Sequence, residues 1–161
     1  MDKIELKEFL NEKVIQYNNP KFIESDPIQI PHLFKLKEDI EIAGFLTSII
    51  AWGNRKMIIK NATKMMELMG NSPSDFVMNH KEHHLEKMEE FVHRTFNADD
   101  LKFFITSLQN IYKNKGGLEK IFNRYAAKES LQPAIHQLNK IFFEIPHLQR
   151  TTKHVSDPLK G

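Results

Sequence analysis

The sequence predicts an all-α protein, and three observations carry that reading. Apolar residues recur at i, i+3, i+4 and i+7 in one segment after another. The breaks between segments carry helix punctuation: Asn18-Asn19-Pro20, Gly53-Asn54, Gly70, Ser72-Pro73, Asn97 and Gly116-Gly117. At 161 residues, 40% hydrophobic and 27% charged, the chain can bury a real core and has the make-up of a globular protein. The expected architecture is a compact multi-helix domain around a buried central helix at about residues 39–52.

In chain order, Leu6, Phe9, Leu10, Val14 and Tyr17 share a helical stripe that Asn18, Asn19 and Pro20 end. Residues 20–36 hold Pro20, Pro27 and Pro31 and little periodicity, which predicts a packed, irregular connector. From Asp39 to Trp52 the apolar residues cover nearly the whole circumference, the mark of a central, buried helix. Arg55 to Met69 is amphipathic, with Ile58, Ala62, Met65, Met66 and Met69 on its apolar face and Gly70 as its stop. Ser72 caps a short helix with Pro73 in its first turn. Residues 80–96 read two ways, as a polar helix, HKEHHLEKMEE, followed by the aromatic FVHRTF. Asn97 caps a helix with Leu101, Phe104, Ile105, Leu108, Ile111 and Tyr112 on one face, closed by Gly116-Gly117. Leu118 to Tyr125 forms another short helix, and Leu131 to Phe142 the last, ended before Pro146. The division is a helical domain over 1–146 and a basic, nonperiodic tail over 147–161, either a frayed end or the lead into a further C-terminal part.

Composition excludes several chemistries. With no cysteine there is no disulfide framework, thiolate zinc site or cysteine nucleophile. The net charge of +2 imposes no global field, so any polyanion partner must be recognised by local charge. The N-terminus is charged throughout, unlike a signal peptide, and the most apolar run, Ile42 to Trp52, is far short of the ~20 residues that span a bilayer. A cytoplasmic location is the expectation.

One stretch stands out: SIIAWGNRKMIIK, residues 48–60, where the apolar run breaks at the only tryptophan and a new helix starts. Gly53 suits a tight turn and Asn54 an N-cap, giving helix, elbow, helix. The start of the second helix exposes backbone N–H groups. Lys56, Lys60 and Lys64 are spaced by four and lie on one stripe. Arg55 adds a cation where the helix dipole disfavours it, at a cost of roughly 0.3–1 kcal/mol that a bound anion would offset. The same lysines also suit the solvent face of any amphipathic helix, and Glu67 continues the stripe and partly neutralises it. The nucleic-acid-binding candidates are therefore Gly53, Asn54, Arg55, Lys56, Lys60 and Lys64, with Ser48 and Trp52 as pocket candidates.

Other constellations are weaker. His80, His83 and His84 could share a helix face, but their neighbours are charged and no apolar wall surrounds them, so a surface cluster is expected rather than a metal site. Asp99 and Asp100 directly follow Asn97, where a first helical turn favours acids. Asp39 and Glu41 could project into a cleft. Ser48, inside an apolar helix, should donate to a carbonyl one turn back. No catalytic residue, metal or cofactor is assigned.

The segment EIAGFLTSIIAWGNRKMIIKNATKMMELMG resembles an uncharacterised bacterial family, a domain of unknown function distantly related to helix-hairpin-helix DNA glycosylases. AWGNR (51–55) is similar to its first signature and HVSDPLKG (154–161) to the entry of its second; DPIQIPH (26–32) and FVHRTF (91–96) fit as well. The resemblance implies that this chain is the N-terminal portion of a longer protein, with a catalytic lysine and aspartate beyond Gly161. Ser48 matches the serine of a glycosylase L-L-S-A-Q segment, but isoleucine stands where its glutamine would be, so base reading does not carry over. The tail cations Arg150, Lys153 and Lys160 would then lead toward phosphates. The expected function is DNA binding by a glycosylase-like helical domain that is catalytically incomplete as this fragment. The alternative is a helical protein-interaction module or scaffold, suggested by the four methionines within Met57–Met69.

Overall fold

The computed structural model describes residues 1–160, and the fold is all-α apart from one two-stranded hairpin. Helix α1 spans Lys3–Tyr17, α2 Pro20–Ile23, α3 Lys37–Ile49, α4 Arg55–Leu68, α5 Pro73–Asn79, α6 Ala98–Asn110, α7 Leu118–Tyr125 and α8 Gln132–Phe142. Strands β1 (Val92–His93) and β2 (Phe96–Asn97) pair antiparallel in the register Val92 to Asn97 and His93 to Phe96. Short 3-10 turns cover Pro27–Gln29, Pro31–Leu33, Glu82–Met88 and Gln149–His154. The segment read two ways therefore becomes a 3-10 turn followed by a hairpin.

Helix α3 is the centre, as its composition predicts. Ile42, Ala43, Leu46 and Ile50 have no exposed surface, and Ala62, Met65, Met66, Leu101, Phe104, Leu108 and Phe142 close around them. The phenylalanines lock this core edge to face: Phe104 and Phe142 lie 4.7 Å apart at 66°, and Phe96 meets Phe104 at 5.1 Å and 81°. The helix starts two residues before the expected position and stops at Ile49. Ile50 leaves helical geometry at φ −99°, ψ 5°, and the Trp52 amide turns back to the Ile50 carbonyl at 2.8 Å. One stripe of α3, namely Ile40, Gly44, Ser48 and then Ala51, is not covered by other helices and faces a cleft.

The expected caps form, with one substitution. Asn97 and Asp100 make a reciprocal capping box at α6. Gly70 (φ +66°) and Asn71 (φ +53°) end α4, with the Asn71 amide donating to Met66 O at 2.8 Å and that of Gly70 to Glu67 O at 2.9 Å. Ser72 holds the N-cap position of α5, but its side chain makes no cap bond. The Asp39 carboxylate, 7% exposed on α3, accepts from the Ser74 amide at 2.8 Å instead. Glu41 likewise accepts from the Tyr112 hydroxyl at 2.6 Å. Burial, and then that bond, push the Tyr112 phenol far above its ordinary range. Neither acid reaches the cleft, because each ties α3 to a neighbour.

Two regions depart from the sequence reading. The stripe on α1 forms, but no residue of that helix is buried. Residues 147–160 are not frayed. Thr151 and Val155 are buried, and Asn139 on α8 donates to Val155 O at 2.7 Å. Among the described residues no helix is long and apolar enough to cross a membrane.

Candidate nucleic-acid interface

The elbow forms where its residue types require it. Gly53 sits at φ +104°, a conformation side chains resist. The Asn54 side chain then accepts from the Met57 amide at 3.2 Å and starts α4, whose first turn holds no acid. Lys56, Lys60 and Lys64 are all exposed, and among the described residues no carboxylate comes within 4.0 Å of their amines. Glu67 does not neutralise Lys64 by contact. Arg55 behaves differently. Its guanidinium turns back to Asp26 Oδ2 at 3.8 Å and lies 6.0 Å from the Phe22 ring centre. Its carboxylate partner is thus supplied by the connector.

The hairpin brings residues to the elbow that the sequence did not single out. His93 is buried; its Nε2 donates to the Trp52 carbonyl at 3.4 Å and its Nδ1 meets the Asn61 amide nitrogen at 2.8 Å. Its ring stands edge-on to Trp52, 5.7 Å away at 87°. Arg94 occupies the hairpin turn, and its guanidinium carbon lies 4.7 Å from the centre of the Trp52 ring. A Cβ on Gly53 would stand 3.0 Å from Arg94 Nη1, so a side chain there would be strained at its φ and would displace the guanidinium slightly. The only sequence signal for Arg94 was its place in FVHRTF, which holds no glycine or asparagine at the turn to mark a loop tip.

Beside the elbow lies a cleft of about 630 Å³, walled by Pro27, Ile28, Pro31 and Ile40 and floored by Gly44 and Ala51. Its polar groups are few. The Ser48 hydroxyl donates to Phe45 O at 2.7 Å, three residues back, as an apolar helix demands. Thr47 lines the same cleft, 4% exposed, and its hydroxyl has no partner. Asp26 and Arg55 stand at its rim.

The second basic region is wired inward. The Asp100 carboxylate is fully buried. It accepts from the Thr151 hydroxyl at 2.7 Å and the Asn97 amide at 3.1 Å, and pairs with Arg150 at 3.1 Å. His154 Nε2 lies 3.3 Å from it. Burial lowers the His154 pKa below its ordinary 6.5, with Asp100 pulling the other way. Arg150 also donates to Thr95 O at 2.9 Å and Asn97 Oδ1 at 3.1 Å, bracing the hairpin from behind. Asp157 pairs with His136 Nδ1 at 2.7 Å, which holds its carboxyl below the usual range. Arg150 thus carries a structural pairing with Asp100 while its side chain stays 39% exposed. The described part of the HVSDPLKG signature, residues 154–160, is a docking segment: His154, Val155 and Asp157 each lie against the helices.

Residues 26–161 match the family described as a protein of unknown function, DUF2400. The chain belongs to that family. No curated protein and no solved structure matches it. The DUF2400 match takes in the elbow, the hairpin and the docking segment, and begins at Asp26, the partner of Arg55. Helices α1 and α2 lie outside it. Of the histidines in the DUF2400 fold's cluster, His83 is exposed and His80 and His84 are half-buried, His80 stacking on Phe76 at 5.6 Å, with the His83 and His84 rings 4.1 Å apart and the Lys81 amide donating to His84 Nδ1 at 3.0 Å. The methionines that suggested an adaptable surface are mostly core: Met65, Met66 and Met69 are buried, and Met57 is 48% exposed.

Proposed function

We propose that this DUF2400 chain is a DNA-binding helical domain of glycosylase-like architecture, docking phosphates along α4. The observation that carries it is the stripe of Lys56, Lys60 and Lys64, exposed and, among the described residues, without carboxylate partners, on a helix that starts at a cationic, acid-free turn. Some lysines elsewhere do pair with acids: Lys37 with Glu119 at 2.6 Å, Lys115 with Glu144 at 2.9 Å, and Lys102 with Glu89. A row of unpaired amines spaced by one helical turn suits a polyanion with regularly spaced charges. The Asn54-capped start of α4 adds backbone N–H groups at the same end. In this reading the chain binds without catalysing. The lysine and aspartate of a glycosylase reaction on a flipped base are not assigned among residues 1–161.

Fluorescence anisotropy with a labelled duplex across a salt series tests the proposal. Affinity should fall steeply with salt, and each amine removed should flatten the log–log slope by about 0.9. Absence of binding at low salt, or an unchanged slope in the Lys56→Ala/Lys60→Ala/Lys64→Ala variant, would refute it.

A second reading, a protein-interaction module, is favoured by α1, whose Ile4, Leu6, Phe9, Leu10 and Val14 are 44–69% exposed. A Phe9→Glu/Leu10→Glu variant that keeps its melting temperature but loses association with a partner helix would support that reading over the first.

A further inference from the structure

The hairpin tip holds an arginine in a conformation that suits glycine. His93 pairs with Phe96, so Arg94 and Thr95 are the two loop residues, and Arg94 has φ +56°. Only the first loop residue has positive φ, the pattern of a type II′ turn, where glycine is favoured. Holding a side chain there costs of order 1 kcal/mol, and such outliers cluster at ligand-contacting positions.

The surroundings keep Arg94 in place and leave its charge unspent. The hairpin is fastened on both sides, by His93 to the Trp52 carbonyl and by Arg150 to the Thr95 carbonyl. Among the described residues no carboxylate lies within 4.0 Å of the Arg94 guanidinium. Trp52, against which it rests, is itself 37% exposed. An unneutralised planar cation and an exposed indole thus share one surface beside Gly53 and the start of α4.

From these positions we infer that Arg94 and Trp52 form a reading clamp for one unstacked nucleotide, the guanidinium taking its phosphate and the exposed aromatic–guanidinium surface stacking its base. Stacking on an aromatic ring with an adjacent cation tolerates any base, so the clamp selects for an unpaired nucleotide rather than for a sequence. The lysine stripe supplies duplex phosphate contacts; the clamp adds preference for a bulge, gap or single strand. This inference rests on the nucleic-acid reading above and deepens it.

Three oligonucleotides decide it: a full duplex, the same duplex with one bulged nucleotide, and the single strand. The wild-type chain should bind the bulged duplex more tightly than the full one. Bulge binding should quench the tryptophan fluorescence excited beyond the tyrosine band, which reports Trp52 because it is the only tryptophan. Arg94→Gly relieves the backbone, so its melting temperature should not fall, while bulge affinity should drop roughly tenfold and duplex affinity should stay within about twofold. Arg94→Lys keeps the charge without the planar fork and should recover only part of the loss. Equal binding of bulged and full duplex by the wild type overturns the clamp. So does an Arg94→Gly or Arg94→Lys protein that binds the bulge like the wild type. If the triple lysine variant still loses duplex affinity in those cases, the clamp fails and the DNA-binding reading stands. If the wild type binds none of the three at low salt, both fail.

Discussion

Two basic regions of this chain have similar residue types and opposite fates. Residues 147–160 carry Arg150, Lys153 and Lys160, and the fold turns the arginine inward onto a buried aspartate. Residues 52–64, with Arg94 from the hairpin, keep Lys56, Lys60, Lys64 and Arg94 without carboxylate partners among the described residues. The difference is where the acids lie. Asp100 enters the first turn of α6 beneath the docking segment, and Asp157 belongs to that segment itself. At the elbow the one acid paired with a cation among the described residues is Asp26, and it engages Arg55. A cation is free for a ligand only if tertiary structure brings it no countercharge, and composition does not report that.

The sharpest way to break the comparison is at Asp100. Replacing it by alanine removes the capping box and strands Arg150, so denaturant unfolding should show a loss of about 3 kcal/mol or more. A loss below 1 kcal/mol would mean the docking segment does not depend on this carboxylate. Next in size is the reverse experiment at the elbow. The triple Lys56→Ala/Lys60→Ala/Lys64→Ala variant should flatten the salt slope of DNA binding by up to about 2.7. Its stability should stay within about 0.5 kcal/mol of the parent, since no amine is paired.

Acid should discriminate the two regions further. His154 has a lowered pKa when folded, so the unfolded chain takes up its proton first as pH falls through 6.5. The corresponding stability is present above 6.5 and is lost between 6.5 and the lower folded value. Asp157 has a depressed pKa, so its contribution is present above 3.8 and is lost as pH falls through its folded value. Thermal melts from pH 8 to pH 5 should show a decline that His154→Gln reduces; an unaltered decline would place the titrating group elsewhere. The smallest effect concerns the cleft. Thr47→Val removes an unpartnered buried hydroxyl at constant shape and should stabilise the chain by about 1 kcal/mol. Destabilisation in the same melt would show that the hydroxyl has a partner after all.

The elbow was legible because its parts are local. Glycine tolerance of positive φ, the capping chemistry of Asn54 and the four-residue spacing of the lysines are decided within a few residues of chain. The clamp was not legible. Arg94 lies forty-two positions after Trp52, and nothing in FVHRTF marks a turn. Ser72 was a sound local cap that lost to Asp39, thirty-five residues before the Ser74 amide it accepts from, because α3 carries that carboxylate to the start of α5.

By itself the sequence determined the helical class, the core face of α3 and α4, the stops at Gly70 and Gly116 and the exposed lysine stripe, since each follows from periodicity and backbone preference. Only the tertiary structure decided which charges are neutralised, that the tail is docked on Asp100, and that Arg94 meets Trp52. Those outcomes depend on distances between segments far apart in the chain, which packing of the shared core sets and local propensity cannot encode.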